Sequence, residues 1–416
     1  MQLIIKNAKL RGKIKLKDIF VNDGKINSIS DATKEHSPSS EKVIDAQGSL
    51  TTSTLTCPHI HLDKALIGQN IVNKSGNLWE AIQKTWEYKK NYTTQDIIKR
   101  ASEIIETMIG FGTTRIRTHV DVDPIGGLLP VEAMLEVKEI YSRYIDFSIV
   151  AFPQEGIIKS AGTKELLEES LKLGVDTLGG MPHYELDIAD SFKHIDFILD
   201  LASKYNVPID AHVDETDDPN SKTLEALAAV AIKRKFSQKI TVGHICALSA
   251  YNNYHAARVI ELVAEAGISV ITNPPTNMVL QGRGDTCGGQ RVGITRVKEL
   301  LEAGILVSVG QDCIKDPYYP FGNGDMLAVA NLTAHAAKMT LSDEIDKLYD
   351  FITCDGAEIM GKKSVGIEVG NRADFLIYES IKNVWEAIRK MPIARCVIKN
   401  GKIIAETSSK TRLMLS

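Results

Sequence analysis

Eight apolar, β-branched runs lie near residues 55–60, 114–121, 145–152, 175–180, 207–213, 240–245, 268–273 and 305–311. Helical patterns separate most of them, and this alternation leaves few folds open to the chain. The clearest pattern is Ile97, Ile98, Ala101, Ile104, Ile105, Met108 and Ile109, which keeps the 3.6-residue period. Thr94 is its expected N-cap, and Gly110 and Gly112 are expected to stop it. A second pattern runs from Thr295 through Val297, Leu300 and Leu301 to Gly304. Eight strands alternating with helices predict an α/β fold, a closed (β/α)8 TIM-type barrel. An open doubly wound sheet is disfavoured, because no G-x-G-x-x-G follows the first strand.

The two ends read differently. Leu3–Lys9, Lys13–Val21 and Lys25–Ser30 are β-like, with a turn at Asn22-Asp23-Gly24. Near the other end, Ala373–Tyr378 and the run from Cys396 to Ile404 have the same character. The expectation is a small β-sandwich domain built from residues 1–53 and 361–416, flanking a catalytic barrel over residues 54–360. A chain of 416 residues is long enough for that division.

Composition excludes several partners. A formal charge of −4 gives no electrostatic case for nucleic acid or an anionic membrane surface. No run of about 18 apolar residues is available for a membrane span. The first residues lack a signal-peptide core, and the six cysteines form no C-x-x-C pair. Reduced thiols and a cytoplasmic location are expected.

The chemistry gathers at strand ends. His59 and His61 alternate with Ile60, so both imidazoles face one side, about 6.5–7 Å apart along the backbone. An H-x-H pair alone is a weak signal, more often two structural histidines than a metal pair. Later strand ends add His212 and Glu215, then His244, then Asp312 beside Cys313. Active sites of this barrel sit at the C-terminal ends of strands. Three imidazoles and a carboxylate leave a position for water, as hydrolytic metal sites require.

At these residues the sequence resembles the amidohydrolase superfamily, in its single-metal cytosine deaminase-like branch. The resemblance covers nearly the whole chain. It rests on Pro58-His59-Ile60-His61-Leu62-Asp63, Arg117-Thr118-His119-Val120-Asp121-Val122, Phe152-Pro153-Gln154-Glu155-Gly156, Pro182-His183-Tyr184-Glu185, His212-Val213-Asp214-Glu215-Thr216-Asp217-Asp218, Leu280-Gln281-Gly282-Arg283 and Asp316-Pro317-Tyr318. It implies one divalent ion, Fe2+ or Zn2+, held by His59, His61, His212 and Asp312. It also implies Glu215 as proton shuttle, His244 as the histidine that assists at the attacking water, and Gln154 as the glutamine at the pyrimidine edge. Members often form homo-oligomers. The implied substrates are a small heterocyclic amine and water, with loss of an exocyclic amino group.

Two positions depart from the cytosine deaminase pattern. Cys313 stands where that branch has a second aspartate, and Tyr318 where it has tryptophan. Both line the family's substrate pocket, and His183 is a further candidate to cap it. Cytosine or a close analogue is the expected ring. An N-alkyl s-triazine, creatinine, isoguanine or a pterin are the alternatives.

Two rival readings lose ground. A two-metal amide hydrolase needs a lysine at the end of strand four, and Val175–His183 contains none. A catalytically dead scaffold should have lost ligands, yet every one remains. Nearby residues read as structural: Arg117, His119 and Asp121 as hydrogen-bonding partners, Asp63, Lys64 and Arg283 as loop ion pairs, and Trp79 and Trp86 as packing. His36, His194, His255 and His335 are assigned no role.

Overall fold

The computed structural model describes residues 2–33, 42–76, 78–283, 292–393 and 395–414. His36 and Cys287 lie outside them, and the five described cysteines are unpaired. The eight expected runs form eight parallel strands: Leu55–Ile60, Thr113–Asp121, Asp146–Phe152, Thr177–Gly180, Ile209–Val213, Ile240–His244, Ser269–Thr272 and Val307–Val309. Each pairs with the next in chain order. The ring closes at its rim, through a bridge between Ile60 and Asp312. There His61 N donates to Asp312 O at 3.2 Å, and Asp312 N to His59 O at 3.0 Å. The last strand has three residues, so closure depends on the residues just beyond it.

The helix Thr94–Gly110 buries Ile97, Ala101, Ile104, Ile105, Met108 and Ile109 against the strands, as its period demands. Its N-cap is Thr93 rather than Thr94. Thr93 has the extended backbone of a cap, and its side chain accepts from Asp96 N at 3.2 Å. Either of two adjacent threonines satisfies the sequence pattern, and backbone geometry decides between them. The second helix covers Val297–Glu302. Among the described residues no helix is long and apolar enough to cross a membrane.

The termini form a second, mostly antiparallel sheet. It comprises Gln2–Leu10, Lys17–Asn22, Lys25–Asp31, Lys42–Asp45 and Leu50–Ser53, joined by Phe375–Tyr378, Arg395–Lys399 and Lys402–Thr407. The expected strand over Lys13–Val21 begins only at Lys17. Strand Gln2–Leu10 is the hub, pairing with Lys17–Asn22, with Lys42–Asp45 and, at Lys9 and Leu10, with Leu50–Ser53. This sheet has a core of its own, including Leu3, Ile5, Ile19, Ile26, Phe375 and Ile398.

Arg395 ties the sheet to the barrel. It is 1% exposed and forks onto Asp325 at 3.0 and 2.6 Å, and it donates to the carbonyls of Phe111 and Pro392. Asp325 caps the helix Met326–Ala336, so three elements meet at one guanidinium. Removing one partner of a buried pair strands the other charge, at about 3–5 kcal/mol. Arg395→Met is therefore expected to lower the urea midpoint markedly, and an unchanged midpoint would show that Asp325 finds another partner.

Candidate metal centre and substrate cavity

His59 and His61 reach the rim from the first strand, His212 from the fifth, and Asp312 from the residues after the eighth. One ligand atom from each lies within 4.8 Å of the others, and all four residues are buried. Asp312 Oδ1 is 3.4 Å from His59 Nε2 and 3.3 Å from His61 Nε2, and His61 Nε2 is 3.2 Å from His212 Nε2. Two nitrogens each about 2.1 Å from one ion at a tetrahedral angle would lie roughly 3.4 Å apart. The spacing therefore fits one small divalent ion.

The protonation chemistry fits as well. Burial drives the imidazoles of His61 and His212 well below their usual value, aided at His61 by the charge of Lys64 and at His212 by neighbouring histidines. Neutral imidazole is the ligating form. Burial alone would raise Asp312, but the close approach of the His59 and His61 rings holds its carboxyl well below the usual range. Among the described residues, both ring nitrogens of His59, and Nδ1 of His61 and His212, find no hydrogen-bond partner. Buried polar atoms are seldom left so.

Backbone shape aims these groups. His244 and Asp312 have φ of 71° and 63°, and such left-handed residues cost about 1–3 kcal/mol and gather at active sites. A Cβ on Gly310 would come within 2.6 Å of His59 Cβ and 2.4 Å of Asn273 Oδ1, so only glycine lets the eighth strand pass beside His59. The Phe152 ring stacks on His212 with centroids 4.0 Å apart.

Beside the quartet, Glu215 Oε1 lies 3.2 Å from His244 Nδ1. Glu215, His212 and His244 form a second close group. Burial, then the charge of Asp312, raises the Glu215 carboxyl well above its ordinary value. Burial lowers His244 to about 3. Two asparagines that the sequence reading missed hold this pair. Asn277 Nδ2 is 3.3 Å from Glu215 Oε1 and 3.0 Å from His244 Nδ1, and Asn273 Nδ2 is 3.1 Å from His244 Nε2. Their i, i+4 spacing after the seventh strand was the available signal.

A cavity of about 430 Å³ opens over the metal quartet. His61, His212, Glu215, His244 and Asp312 line its floor, while Gln154, His183, Cys313 and Tyr318 line its walls. His59 lies beneath, with no exposed surface. Cys313 and Tyr318 join Ile82, with Leu280 packed alongside, in an apolar cluster. Burial pushes the Cys313 thiol well above its usual value, so this wall is uncharged. Burial also lowers His183 to about 4.

The neighbouring motif residues divide into supports and exceptions. Asp210 takes an ion pair from Arg117 at 2.5 Å and lies 3.4 Å from His119, beneath the His59 ring. Asp214 accepts from Ser221, Thr223 and Leu224 and so anchors the start of the helix Thr223–Arg234. His194 accepts from Met181 N and meets Glu185. Trp79 stacks edge-on against Trp86 and stays exposed. Lys64 makes the ion pair expected of it, with Asp121, but inside the protein rather than in a loop. It is buried, with Nζ 2.6 Å from Asp121 and 3.0 Å from Gln154 Oε1, and it lines the cavity. Arg283 remains exposed and donates to Val279 O.

Residues 102–405 match the Amidohydrolase family. A crystal structure of 5-methylcytosine deaminase from Klebsiella pneumoniae, liganded with 5-fluorocytosine, has a TM-score of 0.93 and 36% identity, covering 99% of each chain. N-isopropylammelide isopropyl amidohydrolase of Pseudomonas sp. (strain ADP) is 30% identical over 420 residues, 97% of each chain. Pterin deaminase of Rhizobium rhizogenes is 30% identical over 391 residues, 93% of this chain and 87% of that protein. With this match and the ligand set described above, the chain belongs to the amidohydrolase family, in its cytosine deaminase-like branch, and is a hydrolase of carbon–nitrogen bonds.

Proposed function

We propose that this enzyme hydrolyses the exocyclic amino group of cytosine, with a preference for cytosine substituted at C5, using one divalent iron or zinc ion. The observation that carries the reading is Glu215 beside the His59, His61, His212 and Asp312 quartet, with Gln154 and an apolar Cys313 wall on the same cavity. A 36% identical relative is a 5-methylcytosine deaminase, which supports the choice of ring.

When bound, a divalent ion lowers the pKa of water from about 15.7 toward 7 and so supplies the nucleophile. Asp312 accepts a hydrogen bond from the attacking water. Glu215 takes that water's proton and delivers it to the ring nitrogen, which makes the amidine carbon electrophilic. A second proton passes to the amino group, which leaves as ammonia, and the carbon becomes a carbonyl. His244, steadied by Asn273 and Asn277, stabilises the charge that develops at the attacking oxygen. The Gln154 amide holds the far edge of the ring. Cys313, Ile82 and Leu280 offer a methyl-sized substituent an uncharged wall.

The test is a release assay on metal-replete protein with cytosine, 5-methylcytosine, isoguanine, creatinine, ammelide and pterins. Ammonia from 5-methylcytosine, at a kcat/KM no lower than from cytosine, is expected. Turnover of another ring alone would move the substrate assignment. A 30% identical N-isopropylammelide amidohydrolase makes N-alkyl triazines the second reading, to be followed by amine release.

Cys313→Asp is expected to shift preference toward unsubstituted cytosine, because a carboxylate would meet the substituent where a neutral thiol now stands. An unchanged ratio of the two kcat/KM values would remove position 313 from ring selection.

A further inference from the structure

Lys64 lies in the cavity wall, 1% exposed, with two hydrogen-bond partners that have very different freedom. Asp121 Oδ1, at 2.6 Å, is immobile, since its other oxygen is gripped by Lys89 at 2.5 Å and Lys89 also holds Asp123 at 2.7 Å. The Gln154 amide, at 3.0 Å, is free to turn about its last bond. An ammonium only donates, so the amide atom facing it has to be the oxygen. The –NH2 end is thereby turned the other way, where its partner is the Met181 sulfur at 3.5 Å, a weak acceptor. Reversing the amide would set donors against donors beside a fixed buried charge. The rings of Phe152 and Tyr318, 5.5 and 5.7 Å from Nζ, further confine the ammonium.

We infer that Lys64 is a positioning residue: it locks Gln154 with its N–H donors toward the ligand, and so restricts the cavity to rings that carry an acceptor, a ring carbonyl, at that end. The inference rests on the reading that the cavity holds a nitrogen heterocycle. It adds the reason one edge of that ring is read as an acceptor, and it assigns the selection to a residue that acts through another side chain.

The experiment uses two rings without an amino group, pyrimidin-2-one and pyrimidine, so that binding is measured apart from turnover. Calorimetry on the metal-loaded enzyme is expected to give at least about tenfold tighter binding of pyrimidin-2-one, because pyrimidine leaves the donor unpaired. Lys64→Met should reduce the preference below about threefold, while Lys64→Arg, also donor-only, retains it. Lys64→Met combined with Gln154→Met should discriminate no worse than Gln154→Met alone, as two residues acting in series require. If Lys64→Met does not fold, Lys64→Met with Asp121→Leu removes both members of the buried pair and takes its place.

An undiminished preference in Lys64→Met or in its combination with Asp121→Leu, a lost preference in Lys64→Arg, or additive losses in the Lys64→Met, Gln154→Met double overturns the inference. Equal binding of the two rings by the wild type also overturns it while leaving the heterocycle reading intact. Binding of neither ring overturns both.

Discussion

Glu215→Gln is expected to keep its metal and to lose at least about a hundredfold in kcat, the low end of what general acid–base catalysis contributes. Glu215 belongs to none of the four residues that converge as the ligand quartet, so amide replacement leaves that quartet whole. It does remove the one carboxyl that lies 3.2 Å from His244 and within reach of Asn277. Glutamine can still accept from Asn277, so the pocket should keep its shape. Because the proton is taken and given only as the reaction proceeds, kcat should fall far more than KM rises. Metal analysis alongside steady-state kinetics checks both halves. Near wild-type turnover would take Glu215 out of the mechanism, and lost metal would recast it as a ligand.

Asp312→Asn should be more damaging still, because it acts on binding and chemistry together. The carboxylate faces His59 at 3.4 Å and His61 at 3.3 Å and is the only negative group of the quartet. Asparagine keeps the shape, but it lacks the negative charge that balances a divalent ion and strengthens the hydrogen bond accepted from the attacking water. The variant is expected to hold substoichiometric metal after dialysis against a chelator, and to show more than about a hundredfold loss of kcat/KM even with added metal. The wild type, treated with the same chelator, should lose activity and regain it with iron or zinc. Full activity in the stripped wild type would overturn the metal assignment itself.

The barrel was legible because strand and helix periods differ and each run carried one of them. Leu55–Ile60 runs into the His59 and His61 pair and Ile209–Val213 carries His212 near its end, and a strand's two-residue alternation says which side chains share a face. Asn273 and Asn277 were passed over because an Asn-Pro-Pro turn reads as a loop signal, and nothing local tells that His244, about 30 residues earlier, needs a partner. The burial of the Lys64 ion pair was not legible for a related reason. Lysine is nearly always solvated, and only the packing of three strands and one helix end gives it Asp121 and Gln154 inside the protein.

Local pattern therefore determined the strand succession, the strand ends that carry imidazole and carboxylate, and the reaction type those groups support. The tertiary structure decided which groups meet. Barrel closure runs through Asp312 itself, so one residue both completes the ring and enters the metal quartet. It also decided the direction of the Gln154 amide, which a buried cation 90 positions away in the chain imposes. Periodicity depends on bonds between near neighbours and is written along the chain. A contact between distant side chains exists only once the sheet order has brought them together, and low-dielectric burial then gives it its strength.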